Sequence, residues 1–248
     1  LGGLGADALD GGAGDSDVAE YVDSTAGVTV NLLAGTGLGG TAQGDTLAGL
    51  EHLHGSTFDD VLTGDNAANR IVGRSGNDKL YGLGGNDILL GNYGADVIDG
   101  GDGVDTADYS WSDYGVTVNL KLGVGLGGEA QGDTLVNVEN VQGSGLNDKL
   151  TGSAGDNRLN GAAGDDILSG HEGNDILVGG VGADLIDGGT GDRDAADYQT
   201  ATAGVTLSLV TGGTGGEAAG DTYKNVEYVY GSKFGDVITG NDAVNRLV

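Results

Sequence analysis

The sequence predicts an all-β solenoid, a fold in which short strands stack turn upon turn. Three observations support this prediction: glycine makes up 54 of the 248 residues, a nine-residue pattern returns along most of the chain, and a longer unit of 88 or 89 residues encloses that pattern. Repeats at fixed periods are typical of solenoids, because each unit buries its apolar side chains only against its neighbours.

The composition is strongly acidic, with 38 Asp and Glu residues against 10 Lys and Arg residues and a net charge of −28. Nucleic acid and membrane insertion are therefore excluded as partners, since nucleic acid needs a basic surface and no apolar run reaches the roughly 18 residues of a membrane span. Acidic, glycine-rich chains are often disordered. Here the apolar residues, 38% of the chain, fall at a fixed spacing beside the acids, so we expect conditional order.

The nine-residue pattern places an Asx residue two positions before an aliphatic residue. In a strand that follows the Asx, this aliphatic side chain points inward between two outward neighbours and belongs to the core. The Asx residues are Asp60, Asn69, Asp78, Asp87, Asp96 and Asp105 in a first block, and Asp148, Asn157, Asp166, Asp175 and Asp184 in a second. Partial copies occur at Asp7 and Asp236.

The longer repeat is carried by Gly-Val-Thr-Val-Asn-Leu at 27–32, which returns at 115–120 and, as Gly-Val-Thr-Leu-Ser-Leu, at 204–209. We predict that residues 1–25 end one module and that 203–248 begin another. Complete modules are predicted at 26–113 and 114–202, with nonapeptide blocks at 55–109 and 143–198. Because the chain begins and stops inside repeats, we expect it to be a piece of a longer protein.

Each nonapeptide reads Gly-x-x-Gly-x-Asp and then a three-residue strand, as at 2–7 and 179–184. Glycine permits positive φ and lets backbone carbonyls turn toward an ion, and Asp supplies the anionic oxygen that calcium prefers. This is the pattern Gly-Gly-x-Gly-x-Asp-x-U-x, with U a large aliphatic residue, of calcium-binding RTX proteins. The sequence thus resembles the RTX, or haemolysin-type, nonapeptide-repeat family along nearly its whole length.

The longer module is also similar to the C-terminal calcium-binding domain of serralysin-type metalloproteases, through residues 116–120, 138–141 and 147–150. These resemblances imply a right-handed parallel β-roll in which two nonapeptides form one turn. They also imply that calcium ions bind in the glycine-rich loops between turns, each ion between loops 18 residues apart, such as those of Asp60 and Asp78.

The resemblance implies about six oxygen ligands for each ion, from side chains and main-chain carbonyls. The side-chain ligands it implies are Asp7, Asp60, Asn69, Asp78, Asp87, Asp96, Asp105, Asp148, Asn157, Asp166, Asp175, Asp184 and Asp236. The carbonyl ligands it implies are those of Gly73, Ser75, Gly82, Gly85, Gly91, Gly94, Gly161, Gly164, Gly170, Gly173, Gly179 and Gly182.

Some residues depart from the pattern. Asn69 and Asn157 replace Asp, and because a neutral ligand weakens a calcium site, we expect the sites there to be either half-strength or empty. Arg193 stands where Asp is expected, with Asp194 one residue late, and the loop at 11–17 has the same extra residue. We expect the calcium rows to fray at both places.

The stretches between blocks, such as 106–142, alternate like strands and are predicted to be wider solenoid turns, with 123–128 as an outer loop; beads joined by linkers are the alternative. Asp45, Asp133 and Asp221, each in Gly-Asp-Thr, are either turn residues or accessory cation ligands. Tyr21, Tyr109 and Tyr198 are predicted to cap the core. His52 and His54 are predicted to lie on an outward strand face.

No catalytic constellation is recognisable, so the chain is not predicted to be an enzyme. We expect a calcium-stabilised structural repeat region of a secreted bacterial protein, such as an adhesin stalk, matrix protein or surface-layer rod, exported by type I secretion. The alternative is the non-catalytic secretion or folding domain of an exported protease, lipase or polysaccharide-modifying enzyme. Calcium is the expected partner, and self-association or contacts with a cell surface or matrix are further expectations for an extracellular location.

Overall fold

A computed structural model describes residues 2–14 and 16–248, and nearly all of the regular structure in them is short β-strand. Three 3-10 helices, Gly40–Ala42, Gly128–Ala130 and Gly216–Ala218, interrupt the strands. No helix in the described residues has the length and apolar character needed to cross a membrane.

The first half of the chain forms β1 (Ala8–Asp10), β2 (Val18–Glu20), β3 (Thr29–Asn31), β4 (Thr36–Leu38), β5 (Thr46–Ala48), β6 (His52–His54), β7 (Val61–Thr63), β8 (Arg70–Ser75), β9 (Lys79–Gly84), β10 (Ile88–Tyr93), β11 (Val97–Asp102), β12 (Thr106–Asp108), β13 (Thr117–Asn119) and β14 (Val124–Leu126). The second half forms β15 (Thr134–Val136), β16 (Asn140–Gln142), β17 (Lys149–Thr151), β18 (Arg158–Ala163), β19 (Ile167–Ser169), β20 (Ile176–Val181), β21 (Leu185–Asp187), β22 (Ala195–Asp197), β23 (Thr206–Ser208), β24 (Gly212–Gly215), β25 (Thr222–Lys224), β26 (Tyr228–Tyr230), β27 (Val237–Thr239) and β28 (Arg246–Leu247).

The chain divides into two compact units. Unit 1 comprises the described residues of Leu1–Asp108 together with Gly123–Val138, and unit 2 comprises Tyr109–Leu122 and Glu139–Val248. These units follow spatial contacts, whereas the modules predicted above follow sequence repeats, so the module boundaries stay a prediction.

In unit 1, one sheet has the order β1-β5-β4-β3-β7-β9-β11-β15-β14 and the other has the order β2-β6-β8-β10-β12. In unit 2, the corresponding sheets are β13-β17-β19-β21-β25 and β16-β18-β20-β22-β26-β28, and β24-β23-β27 form a small third sheet. Most strand pairs are parallel. Arg70 pairs with Ile88 and Arg158 pairs with Ile176, so each turn advances by two nonapeptides. The predicted parallel β-roll is confirmed.

The core is a stack of the predicted aliphatic side chains. Those of Leu62, Ile71, Leu80, Leu89, Ile98, Leu150, Leu159, Leu168, Leu177 and Ile186 are completely buried. Burial of one such side chain stabilises the fold by about 1.5–3 kcal/mol. The core is therefore thin, with about one aliphatic residue for each strand of a turn.

The stretches between the nonapeptide blocks belong to the same sheets within each unit. In unit 1, β3 pairs in parallel with β7 and β15 with β11, and in unit 2, β13 pairs with β17 and β25 with β21. The interpretation as wider solenoid turns is therefore favoured over beads. The outer loop expected at 123–128 contains a strand instead, because Val124 pairs antiparallel with Thr134.

Candidate metal centre

The Asx residues of the nonapeptides form four ladders, which we call rows. In each row the backbone N–H of one member donates to a side-chain carboxylate oxygen of the next, as from Asp60 to Asp78 Oδ1 at 2.8 Å and from Asp78 to Asp96 Oδ1 at 2.8 Å. In unit 1, row 1 comprises Asp60, Asp78, Asp96 and Asp133, and row 2 comprises Asn69, Asp87 and Asp105. In unit 2, row 3 comprises Asp148, Asp166, Asp184 and Asp221, and row 4 comprises Asn157, Asp175, Asp194 and Glu227.

These rows are buried in spite of their charge. Every Asx side chain in them is at most 3% exposed. An isolated charge is costly to bury, so buried carboxylates are normally paired or bound to a metal ion. The cation that this arrangement needs does not come from Lys or Arg, whose ion pairs in the described residues involve carboxylates outside the rows.

Inside the rows, the two oxygens of one carboxylate have different surroundings. Oδ1 accepts the amide of the preceding turn, whereas Oδ2 is buried and accepts no hydrogen bond. This open Oδ2 is found in Asp78, Asp87, Asp96, Asp166, Asp175, Asp184 and Asp194. Asp7 and Asp17 in the partial module of unit 1 also have it. The open oxygens are the feature that best fits calcium ligands.

Backbone carbonyls lie beside the open oxygens. A Cβ atom built on Gly170 would come closer than 3.0 Å to both Asp175 Oδ2 and the carbonyl oxygen of Gly188 one turn on. The same is true at Gly161, where Asp166 Oδ2 and the Gly179 carbonyl oxygen meet. Glycine is required at these positions because oxygen atoms occupy the space of a side chain. An all-oxygen donor set of this kind suits calcium.

Burial makes the carboxylates of the rows hold protons more tightly. It raises the pKa of Asp78 to about 8 and the pKa of Asp96, Asp166 and Asp175 to about 7. Neighbouring carboxylates raise the pKa further, as Asp184 does for Asp166. A divalent cation between turns would remove both causes of the shift.

The first Asp of rows 1 and 3 has no open oxygen. Asp60 Oδ2 accepts the N–H of Ser56 at 2.6 Å, and its Oδ1 accepts the Ser56 hydroxyl at 2.8 Å and the N–H of Val28 at 2.7 Å. Ser144 makes the same two bonds to Asp148, at 2.6 Å and 2.8 Å. The resemblance implies that both Asp residues are ligands, but protein donors already surround them.

The first Asn of rows 2 and 4 is likewise bonded within the protein. Asn157 Oδ1 accepts the N–H of Ser153 at 2.6 Å, and its Nδ2 donates to the carbonyl oxygen of Glu139 at 2.8 Å. Asn69 makes the corresponding bonds with Asp65 N–H at 2.7 Å and the Glu51 carbonyl oxygen at 3.2 Å. The amide is thus needed as a donor at this position.

The Asp residues of Gly-Asp-Thr lie at the ends of ladders. Asp221 Oδ1 accepts the N–H of Asp184 at 2.9 Å, and its Oδ2 accepts the Tyr198 hydroxyl at 2.5 Å. Asp45 accepts the N–H of Asp7 at 2.9 Å and the Tyr21 hydroxyl at 3.2 Å in the same way. Tyr21 and Tyr198 are buried as the sequence predicts, and burial raises the pKa of both hydroxyls.

The fraying expected at Arg193 is not found. Asp194 is completely buried, and its Oδ1 accepts the N–H of Asp175 at 2.8 Å across 19 residues instead of 18. The extra residue is absorbed before the Asp, so the ladder continues. In the loop at 11–17, Asp15 lies outside the described residues, and Asp17 has an open Oδ2 like that of Asp194.

Most of the remaining implied ligands lie in the loops beside the rows. The carbonyl oxygens of Gly73, Gly82, Gly91, Gly170 and Gly179 each lie beside the Asx side chain of the preceding turn. Positive φ occurs at Gly85, Gly94, Gly164, Gly173 and Gly182, where the loop turns toward its Asp. Ser75 ends β8 and pairs with Tyr93. Asp236 accepts the Ser232 hydroxyl at 2.7 Å, which repeats the row start of Asp60.

Other metal-binding chemistry finds no support in the described residues. No three His, Asp or Glu side chains in them converge so as to hold a metal ion. His52 and His54 lie half-buried in β6, beside the buried Leu53, as predicted for an outward face. Calcium in the rows would therefore depend on few carboxylates and several backbone carbonyls.

Comparison with known families agrees with this geometry. The model of the RTX calcium-binding nonapeptide repeat matches in four copies, at residues 40–80, 73–107, 142–177 and 161–193. No curated protein matches the chain. The four copies contain rows 1 and 2 up to Asp105 and rows 3 and 4 up to Asp184. Residues 40–107 and 142–193 are therefore RTX calcium-binding nonapeptide repeats.

Proposed function

We propose that the chain is a calcium-stabilised structural repeat region of a secreted protein. The open, buried Oδ2 atoms carry this proposal, because each is a desolvated negative oxygen with no protein donor. They and the adjacent glycine carbonyls are the proposed calcium ligands. Calcium takes six to eight oxygen ligands, which carboxylates and carbonyls of successive turns can supply together.

Calcium would contribute most of the folding free energy. The glycine-rich backbone loses much conformational entropy on folding, while each turn gains only a few buried aliphatic side chains. The acidic rows also repel one another, in a chain whose net charge is −28. A cation that binds only the folded rows stabilises that state by mass action.

An extracellular location follows from this energetic argument. Calcium is abundant outside cells and scarce in the cytosol, so such a chain would stay unfolded before export and fold afterwards. A structural role is supported by the repeats, which occupy most of the described residues. The buried Asp residues of these repeats belong to the rows. Type I secretion, self-association and surface or matrix partners belong to the same proposal.

Circular dichroism during a calcium titration tests the proposal. The chain starts in chelator, and far-ultraviolet spectra are recorded as calcium is added, with magnesium as the control ion. We expect a cooperative gain of β signal with calcium and none with magnesium, which dehydrates reluctantly and demands octahedral geometry. A fully folded spectrum in chelator would contradict the proposal.

A further inference from the structure

We propose that rows 3 and 4 bind calcium at their inner Asp residues and not at their first members, because protein groups take the place of the ion at the first members. Asp166 and Asp184 in row 3, and Asp175 and the late Asp194 in row 4, would bind ions. Asp148 and Asn157 would not. This inference rests on the proposed function and assigns its ligands residue by residue.

The beginning of row 3 is closed by Ser144. Its N–H and its hydroxyl contact different oxygens of Asp148, and Val116 N–H donates to Oδ1 at 2.7 Å. Ser144 is itself buried. An ion at Asp148 Oδ2 would have to displace the Ser144 amide. Ser144 thus supplies the contacts to the Asp148 carboxylate that calcium would supply to the inner Asp residues.

The beginning of row 4 is closed by the amide of Asn157. Its Nδ2 donates to the Glu139 carbonyl oxygen, a position where a carboxylate would face another acceptor. Asn is therefore required by the hydrogen-bond pattern and does not mark a weakened calcium site. The same argument applies to Asn69 and the Glu51 carbonyl oxygen in row 2.

The last members of rows 3 and 4 have surroundings of two other kinds. In row 3, the Tyr198 hydroxyl contacts the Asp221 oxygen that corresponds to an open Oδ2. In row 4, the longer side chain of Glu227 accepts the N–H of Asp194 at 3.1 Å. Both ends leave the preceding Asp, Asp184 or Asp194, with its open oxygen.

The inner Asp residues differ from the first members of the rows by observation, since the Oδ2 atoms of Asp166, Asp175, Asp184 and Asp194 are buried without a hydrogen-bond partner. Asp194 matters most, because the nine-residue pattern puts Arg193 in the ligand position. The hydrogen bond from Asp175 places Asp194 in the row nonetheless.

The test counts calcium ions bound to the full chain and to its variants. Each protein is equilibrated with calcium alone and dialysed, and bound calcium is measured by mass spectrometry of the metal. Asp166→Asn places an amide nitrogen at the open oxygen, because Oδ1 still accepts the Asp148 N–H. Asp148→Asn is the matched control one turn earlier, and Asp194→Asn tests the late position.

We expect Asp166→Asn and Asp194→Asn each to lose at least one bound ion, and Asp148→Asn to keep the wild-type number. Circular dichroism in excess calcium checks that each variant is folded. Should Asp148→Asn not fold, Ser144→Ala, which keeps the backbone bond to Asp148, replaces it and is expected to keep the wild-type number.

Loss of an ion in the row-start variant, or an unchanged number in Asp194→Asn, would overturn the inference. A wild-type chain that binds no calcium would instead overturn the proposed function. The two failures are therefore distinguishable in one experiment.

Discussion

At the scale of single residues, the second position of the Gly-Gly loop imposes a left-handed backbone that the sequence does not always match. Gly180 and Gly189 adopt φ of 98° and 100° there, but Leu83, Ala162 and His171 adopt φ of 79°, 74° and 82° at equivalent positions. A non-glycine residue in this region costs about 1–2 kcal/mol. These loops thus carry local strain that glycine would relieve.

Ala162→Gly is expected to raise the free energy of unfolding of the calcium-bound chain by about 0.5–1 kcal/mol, since relief of strain exceeds the added flexibility of glycine. Urea unfolding in saturating calcium measures it. Ala163→Gly is the control, because Ala163 is half-buried in the same strand without positive φ. An equal loss of stability in both variants would refute the strain.

Gly170→Ala is expected to destabilise the calcium-bound chain by about 1–3 kcal/mol, because its Cβ would overlap Asp175 Oδ2 and the Gly188 carbonyl oxygen. Thermal unfolding in saturating calcium measures the change. Gly145→Ala is the control: a Cβ there has no atom within 4 Å, and φ is not positive. Similar melting temperatures for both variants would disprove the crowding.

The nine-residue pattern predicted which Asp and Gly residues lie in the loops between strands, while their role as calcium ligands stays a prediction. It could not predict that one carboxylate oxygen holds the preceding turn while the other stays open. It also missed Asp194, because an extra residue before the Asp is absorbed by loop conformation. That adjustment depends on the conformation of the loop, which the nine-residue spacing does not specify.

At the scale of elements, the loops replace a conventional backbone ladder with side chains. The inner Asx residues accept amides from the preceding turn, and an outer set accepts amides from the following turn. In the outer set, Asp59 Oδ1 accepts the N–H of Asn77 at 2.8 Å and Asn147 Oδ1 accepts the N–H of Asp165 at 2.9 Å. Because side chains satisfy these amides, the backbone carbonyls are left for an ion.

Strand length shows where element prediction stopped. Three-residue strands were expected, yet β8, β9, β10, β11, β18 and β20 have six residues. Their first loop residues continue the pairing, as Asn92 does with Arg74. The glycine-rich composition does not indicate these longer strands, because the pairing arises from the stacking of similar turns and not from strand propensity.

Tyr198→Phe is expected to reduce stability by about 1–3 kcal/mol, because the second oxygen of the buried Asp221 loses its short hydrogen bond and keeps only the one from the Tyr223 hydroxyl at 3.5 Å. Urea unfolding in calcium gives the value. Tyr114→Phe, at a side chain that is 71% exposed, serves as the control and is expected to have little effect. Equal effects of the two substitutions would show that Tyr198 does not close row 3.

At the scale of the whole molecule, the folded metal-free rows couple stability to pH. The pKa values of about 6 to 8 in the rows lie above the value of 3.8 expected for an unfolded chain. Protonation therefore stabilises the folded state. This stability is fully present below about pH 4 and is lost as the pH rises through about 6 to 8.

In chelator, the β signal is expected to increase as the pH falls from about 8 to about 5, since protons then neutralise the rows in place of calcium. Circular dichroism at fixed ionic strength measures it. High sodium chloride at pH 8 is the control for general charge repulsion and is expected to recover less signal. A β signal that does not increase on acidification would contradict the description of the row carboxylates as buried and unpaired.

The fold class was the part most accessible from sequence, because the periods of nine and 88 residues impose parallel stacking. The antiparallel strands were not accessible, and they arise where β4 inserts between β3 and β5 in unit 1. Nothing in the period identifies such an insertion, which depends on a turn at Gly35 with φ of 64°.

The most direct test of the account is a crystal structure of the calcium-loaded chain with anomalous diffraction from calcium. The account predicts anomalous peaks about 2.3–2.6 Å from Oδ2 of Asp78, Asp96, Asp166 and Asp184, with carbonyl oxygens completing each site. Peaks confined to the protein surface, or row carboxylates paired with each other and without calcium, would contradict it.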